Sequence, residues 1–265
     1  MTVRKAAVAG GFYPAEKGMI LAFIKKFLSD AKDVQINGRL HALVEPHAGY
    51  VYSGPIAAYG YKLLQKHQAG IKKIILLGPS HHAGFSGVAE SGFDYWETPL
   101  GKVKVGSIAK KVEPEFAGLF SVIQEAHAPE HCLEVQIPFL QTVMKNKFEI
   151  FPLLLGDVNY GQLARALVSA IDDSALIIAS SDLSHYLQYG EAIKRDSVAN
   201  EAIPALDIQK FTYQGDACGK GPILTLMHVA KLKGWNGKFL DYRNSGDTAG
   251  NRIQVVGYGC YAFYR

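Results

Sequence analysis

The feature that most limits what this chain can fold into is a set of short apolar runs that do not alternate. Residues 73–77, 148–154 and 175–179 carry Ile, Leu, Phe and Ala at successive positions. A strand with one wet face alternates apolar with polar residues, whereas a strand apolar throughout has both faces covered. Segments of helical period lie between these runs, over 16–29, 55–66, 105–111, 134–145, 160–171, 191–206 and 217–231. Further strands are expected over 40–45, 238–242 and 253–263. The pattern predicts an α/β fold, a layered sandwich with a central, mostly parallel or mixed sheet flanked by helices. Pro55 at the head of the second helix suits a first helical turn.

One domain spanning 1–265 is expected, because no composition shift marks a linker. Apolar residues make up 48% of the chain and charged residues 20%, a balance that buries a large core. The N-terminus shows no charged-then-apolar signal segment and no run reaches membrane-spanning length, so a cytoplasmic protein without a membrane partner is expected. Three cysteines, Cys132, Cys218 and Cys260, do not make a disulfide framework in a chain of 265 residues, which leaves reactive or metal-binding roles. The formal charge is +4, and Lys and Arg read as scattered rather than gathered beside aromatics. Nucleic acid is therefore not an expected partner, whereas a small acidic molecule is compatible.

Several strands end in polar, glycine-containing turns. These hold Pro46, His47, Ala48, Gly49 and Tyr50; Ser80, His81 and His82; Ser181, Asp182, Ser184 and His185; and Cys218 between Gly215 and Gly221 at a helix start. In open α/β sheets, loops at the carboxyl ends of strands form the ligand crevice, so such residues meet in space. One histidine in a turn is more often a cap or a surface residue. Three histidine-bearing turns, each after an apolar strand, together with a glycine-flanked cysteine, point to a shared metal cleft. His41, His67, His127 and His228 lack this setting and read as structural, and Cys260 reads as a buried strand residue.

Two imidazoles and a thiolate suit iron or copper, with zinc also compatible, and match magnesium or calcium poorly. Position at a helix N-terminus is expected to favour the Cys218 thiolate. Asp182 can add a carboxylate ligand, and His185 can serve as general acid and base. Cys132 is ambiguous; beside it, His131 or Glu134 can orient ligands from behind. The 215–221 segment fails as a phosphate loop, no Gly-x-Gly-x-x-Gly is present, and no Gly-x-Ser-x-Gly elbow supports a hydrolase triad.

Six spaced stretches carry a wider likeness: Arg4 to Tyr13, Pro46 to Tyr50, Leu77 to His82, His131 with Glu134, Ser180 to His185, and Ala217 to Pro222. Together they resemble the Memo family, named for a mediator of receptor-driven cell motility, over nearly the whole chain. That family is similar in fold to the class III extradiol dioxygenases, which implies a three- or four-layer α/β sandwich with one cleft. The resemblance implies His47, His81 and Cys218 as metal ligands, with Asp182 and His185 lining the cleft and His82 as a neighbour. Tyr50, His131 and Glu134 would stand close by. The dioxygenases carry a glutamate at the position of Cys218, so ring cleavage is disfavoured by an oxidisable thiolate beside dioxygen. The resemblance also implies iron or copper binding with a redox role, an anionic or phosphorylated peptide as an alternative ligand, and a functional link to a radical-SAM protein. The expected function is thus a non-haem redox metalloprotein of unknown substrate. The alternative is a non-catalytic module binding a peptide or small acid in the same cleft. An aromatic C-terminal edge strand leaves an oligomer open.

Overall fold

The computed structural model describes residues 1–265. The chain opens with β1 (Val3–Arg4), α1 (Lys17–Asp30), β2 (Leu40–Glu45), α2 (Tyr50–His67) and β3 (Lys73–Pro79). Short strands follow: β4 (Val88–Glu90), β5 (Tyr95–Thr98), β6 (Gly101–Val105) and, after a 3-10 turn at Pro114–Leu119, β7 (Phe120–Val122). Next come α3 (Gln124–His127), α4 (Gln136–Val143), β8 (Glu149–Leu155), α5 (Tyr160–Ala170), β9 (Ala175–Ser180) and β10 (His185–Leu187). The chain closes with α6 (Tyr189–Ala202), α7 (Ile208–Gln214), α8 (Lys220–Lys233), β11 (Asn236–Asn244), α9 (Ser245–Thr248) and β12 (Val255–Tyr264).

All the strands join one mixed 12-stranded sheet whose middle runs β6, β8, β3, β9, β2 in parallel, with β12 antiparallel beyond β2. Successive side chains of its central strands serve opposite faces, as the pleat requires. Ile74 and Leu76 of β3 and Leu176 and Ile178 of β9 enter a core with α1, α2 and α4. Ile75, Leu77, Ile177 and Ala179 enter a second core with α5, α7 and α8. The apolar runs lack alternation because both faces are covered by helices. No helix is long and apolar enough to cross a membrane.

Two local expectations are overturned. Residues 105–111 are not helical: Lys102, Val103 and Lys104 alternate in β6 against β5, and only Val103 of them is buried. The following turn is held by the Glu90 carboxylate, which accepts the N–H groups of Ile108 and Ala109 at 2.5 and 3.0 Å and the Ser107 hydroxyl at 2.8 Å. A carboxylate distant in sequence thus replaces the helical ladder. The second correction concerns Pro55, which lies inside α2 rather than at its head, because the helix already starts at Tyr50. Its missing N–H frees the carbonyl of Val51, an exposed residue that water can serve.

The N-terminal strand is tied down by a buried ion pair. Arg4 reaches Glu134 at 2.6 Å, donates to the carbonyls of His127 and Glu130 at 2.7 and 2.6 Å, and lies over the Trp96 ring. Glu134 also accepts the N–H groups of Ala7 and Val8 and the Tyr13 hydroxyl. Its oxygens are committed to these groups, so Glu134 anchors the chain's start and makes no hydrogen bond to a histidine or cysteine of the cleft.

Candidate metal centre

Strands β3, β9 and β2 are neighbours, so their carboxyl ends deliver three turns to one place. His47 follows β2 and His81 follows β3. Asp182 follows β9, and Cys218 arrives in the turn before α8. The Cys218 turn is fastened to the end of β9: Cys218 N–H donates to the Asp182 carbonyl at 3.2 Å, and Gly219 N–H to the Ser181 hydroxyl at 2.8 Å. Glycine is needed at 219, where a Cβ would stand 2.6 Å from both the Ser180 carbonyl oxygen and the Ser181 Cβ.

The cleft so formed has a volume of about 560 Å³. His47, His81, His131, Asp182, His185 and Cys218 line it, with Phe12, Tyr52, Tyr186 and Tyr258 giving it an aromatic rim. Donor atoms of His47, His81 and His131 all lie within 4.8 Å of one another, and the overlapping sets His81, Glu130, Cys132 and His82, Glu130, His131 meet the same limit. Cys218 is in none of these sets; its sulfur instead lies 3.1 Å from Nε2 of His47.

Hydrogen bonds decide which nitrogen of His47 is free. The Ser180 hydroxyl donates to the Cys132 carbonyl at 2.7 Å and accepts from Gln136 Nε2 at 2.7 Å. Its hydrogen is used, so Nδ1 of His47, 3.0 Å away, is the donor of that pair. Burial first, and then the neighbouring His131 and His81, hold the His47 pKa well below the usual histidine range. The ring is neutral with a lone pair on Nε2, and the Cys218 thiol donates to it.

His81 is held the same way by a carboxylate. Glu130 is fully buried; its oxygens accept the His81 N–H at 2.7 Å, His81 Nδ1 at 2.9 Å, and the N–H groups of His131 and Cys132 at 2.9 and 3.1 Å. Nδ1 of His131 lies 3.2 Å from the same carboxylate. Burial alone would raise the Glu130 pKa, but hydrogen bonds from His131, His81 and Cys132 outweigh it and hold the carboxyl far below its usual range. Glu130 therefore stays ionised and turns Nε2 of His81 toward the cleft. Ring-bound histidines with the second nitrogen fixed by an oxygen are the common form of metal-ligating imidazole.

A Memo-like protein family model matches residues 4–262. The chain belongs to the Memo family. A MEMO1 family protein of Nitrosopumilus maritimus is 36% identical over 276 residues, covering 98% of this chain and 99% of the relative. Similar relatives in Archaeoglobus fulgidus and Aquifex aeolicus, both also described as MEMO1 family proteins, are 35% and 34% identical. They cover 98% and 97% of this chain, and 99% and 98% of their own lengths. Every turn that lines the cleft falls inside the span of the family match.

The remaining anticipated residues take varied places. His185 is exposed at the mouth, its Nδ1 donating to the Leu183 carbonyl at 2.8 Å and its Nε2 free. Asp182 is buried and accepts the His47 N–H at 2.7 Å. No hydrogen bond joins Asp182 to His185. His82 is exposed beside His131, with ring centroids 6.5 Å apart. Tyr50 is buried away from the cleft against Tyr13 and Phe139, donating to the Val135 carbonyl. Cys132 is fully buried, its thiol donating to the Pro79 carbonyl. Cys260 is buried in β12 as expected.

The expectation for the Cys218 thiol is reversed. Burial and the adjacent Asp182 carboxylate push it up to about 12, outweighing the helix start two residues on. Glu130, Ser180 and Gln136 do the positioning, yet nothing separates Glu130 from other glutamates in the sequence, because its partner His81 lies 49 residues away. Tyr186 holds a left-handed backbone, φ 59°, at the exposed rim, a strained conformation of the kind that clusters at ligand sites.

Asp182 gives this family member a pH signature. Burial raises its carboxyl and bonds from the His47 and Ala48 backbone lower it, leaving it at about 6. Folding raises this pKa, so the associated stability is present at low pH and is lost as pH rises through about 6. Asp182→Asn keeps an oxygen for His47 and carries no charge. In metal-free protein it is expected to add about 1–3 kcal/mol near pH 8 and little near pH 4. Thermal unfolding at both pH values checks this; an equal shift at the two would contradict it.

Proposed function

We propose that this Memo-family chain is a redox metalloprotein holding one iron or copper ion in the cleft through Nε2 of His47, Nε2 of His81 and Sγ of Cys218. The single observation that carries the reading is the tautomer lock at His47: Nδ1 is spent on Ser180, so the Nε2 lone pair faces Cys218 and the other imidazoles. The donor chemistry fits. Neutral imidazole with a thiol suits iron, copper or zinc, and the Cys218 proton bridging to His47 is one that metal entry would release. When bound, iron or copper would supply electron-transfer chemistry in a cleft rimmed by aromatic side chains.

The chain's own groups divide the remaining work. Asp182 fixes the backbone of His47 and, through its carbonyl, the Cys218 turn. Glu130 aims His81 and His131. His185, exposed with Nε2 free, can hold or deliver a proton at the mouth. His131 stands close enough to His47 and His81 to serve as a further nitrogen donor.

The test is metal content after anaerobic purification without chelator, comparing the parent with His47→Ala, His81→Ala, Cys218→Ser and His131→Ala. Near-stoichiometric iron or copper is expected in the parent, with loss in the first three variants. Metal lost in His131→Ala but kept in Cys218→Ser would replace the thiolate by a third imidazole. A parent that stays metal-free after reconstitution would overturn the reading and leave a metal-independent pocket for a small acid or peptide.

A further inference from the structure

A second concavity, with a volume of about 1010 Å³, lies at the amino edge of the sheet, opposite the histidine cleft. It gathers Lys72 and Lys73 from the start of β3, Lys102 and Lys104 from β6, and Lys17 from the head of α1. Lys145 and Lys147, between α4 and β8, complete it. Lys104 pairs with Glu149 at 2.5 Å and Lys73 with Asp172. The other five lysines form no ion pair and are exposed. Glu149 is the one acidic residue in the lining. Seven lysines against one glutamate exceed the net charge of +4 of the whole chain, so the groove concentrates positive charge in one place. The scatter of basic residues along the sequence is undone by the fold, because β3 and β8 start side by side and the end of β6 pairs with the start of β8.

We propose that this groove binds an acidic peptide segment of a partner protein, one that carries apolar side chains among its carboxylates. Charge complementarity sets the sign of the partner, and the floor sets its character. Leu21, Leu100, Val103 and Phe148 lie under the lysines, half-buried or buried, so a bound segment meets an apolar base inside a cationic rim. The lining has no arginine, the residue whose planar fork suits phosphate and nucleobase recognition. Flexible lysine point charges suit carboxylates spaced along a peptide. Tyr95 and Phe148 are half-buried and offer no exposed platform of the kind on which bases stack. The groove lies about 20 Å from the histidine cleft, the length of β3, and acts separately from it.

The test uses the full chain and fluorescence polarisation with three short labelled probes: a Glu-Glu-Leu repeat peptide, a Glu-Glu-Gly repeat peptide, and single-stranded oligouridylate. The Glu/Leu peptide is expected to bind best, with affinity falling about tenfold from about 50 to about 200 mM salt. Lys102→Glu/Lys145→Glu/Lys147→Glu is expected to weaken it by about tenfold or more. Reversing Lys110, Lys194 and Lys231, three exposed lysines outside the groove, matches that charge change and is expected to cost less than about threefold. Circular dichroism and an unchanged thermal unfolding midpoint confirm that both variants fold. Equal losses in the two triple variants, or no binding of the Glu/Leu peptide at low salt, would overturn the proposal. Tighter oligouridylate binding would make the groove a nucleic-acid site instead, and equal binding of the two peptides would remove the apolar floor from recognition.

Discussion

Glu130→Ala is expected to lower the metal affinity of the cleft by about 10–100-fold and to cost about 3–5 kcal/mol of folding stability. One buried carboxylate accepts three backbone N–H groups and the His81 ring, and it touches His131 as well. Alanine leaves those donors without partners and frees both rings to turn. Glu130→Gln keeps the volume but aims an N–H₂ at donors, so it should lose metal affinity with a smaller stability cost. Because folding depresses the Glu130 pKa, its stabilisation is present above the ordinary carboxylate range and is lost as pH falls below it. Urea unfolding of metal-free protein and a competitive metal titration read the two effects. Parent-like affinity in Glu130→Ala would show that the histidines need no such support.

Arg4→Met is expected to cost about 3–5 kcal/mol, because it leaves the Glu134 carboxylate fully buried without a counter-charge. It also removes the donors to the His127 and Glu130 carbonyls, linking the chain's start to the segment that carries Glu130. The double variant Arg4→Met/Glu134→Gln should recover part of the loss, since the buried charge is gone. Guanidinium unfolding of the four proteins of this cycle measures the coupling. A single-variant cost under about 1 kcal/mol would show that water or another cation replaces Arg4.

Much of the sheet is legible in the sequence because the signal is local. The expected bounds 40–45 coincide with β2, and β3 and β9 extend only one or two residues past theirs. In each, an apolar run stops at a Pro- or Ser-bearing turn. The same turns put His47, His81 and Asp182 at one edge, since parallel neighbours end side by side, and hydrogen bonds to the end of β9 bring Cys218 to them. What escapes local reading depends on partners far along the chain. Glu90 replaces a helix after β6, Glu134 answers Arg4 across 130 residues, and Glu130 finds His81 from behind. The state of the Cys218 thiol escapes the sequence for a related reason: a helix start is visible there, whereas burial beside Asp182 is not. The lysine groove belongs to the same class, its members drawn from four separate stretches.

The most direct test of the central claim is the metal-edge X-ray absorption spectrum of the protein loaded anaerobically with one equivalent of ferrous iron or cuprous copper. The account predicts imidazole scattering from at least two rings and one sulfur shell near about 2.3 Å, the sulfur shell vanishing in Cys218→Ser and the imidazole signal falling in His47→Ala. A spectrum of oxygen donors alone, unchanged by either substitution, would place the metal elsewhere and contradict it.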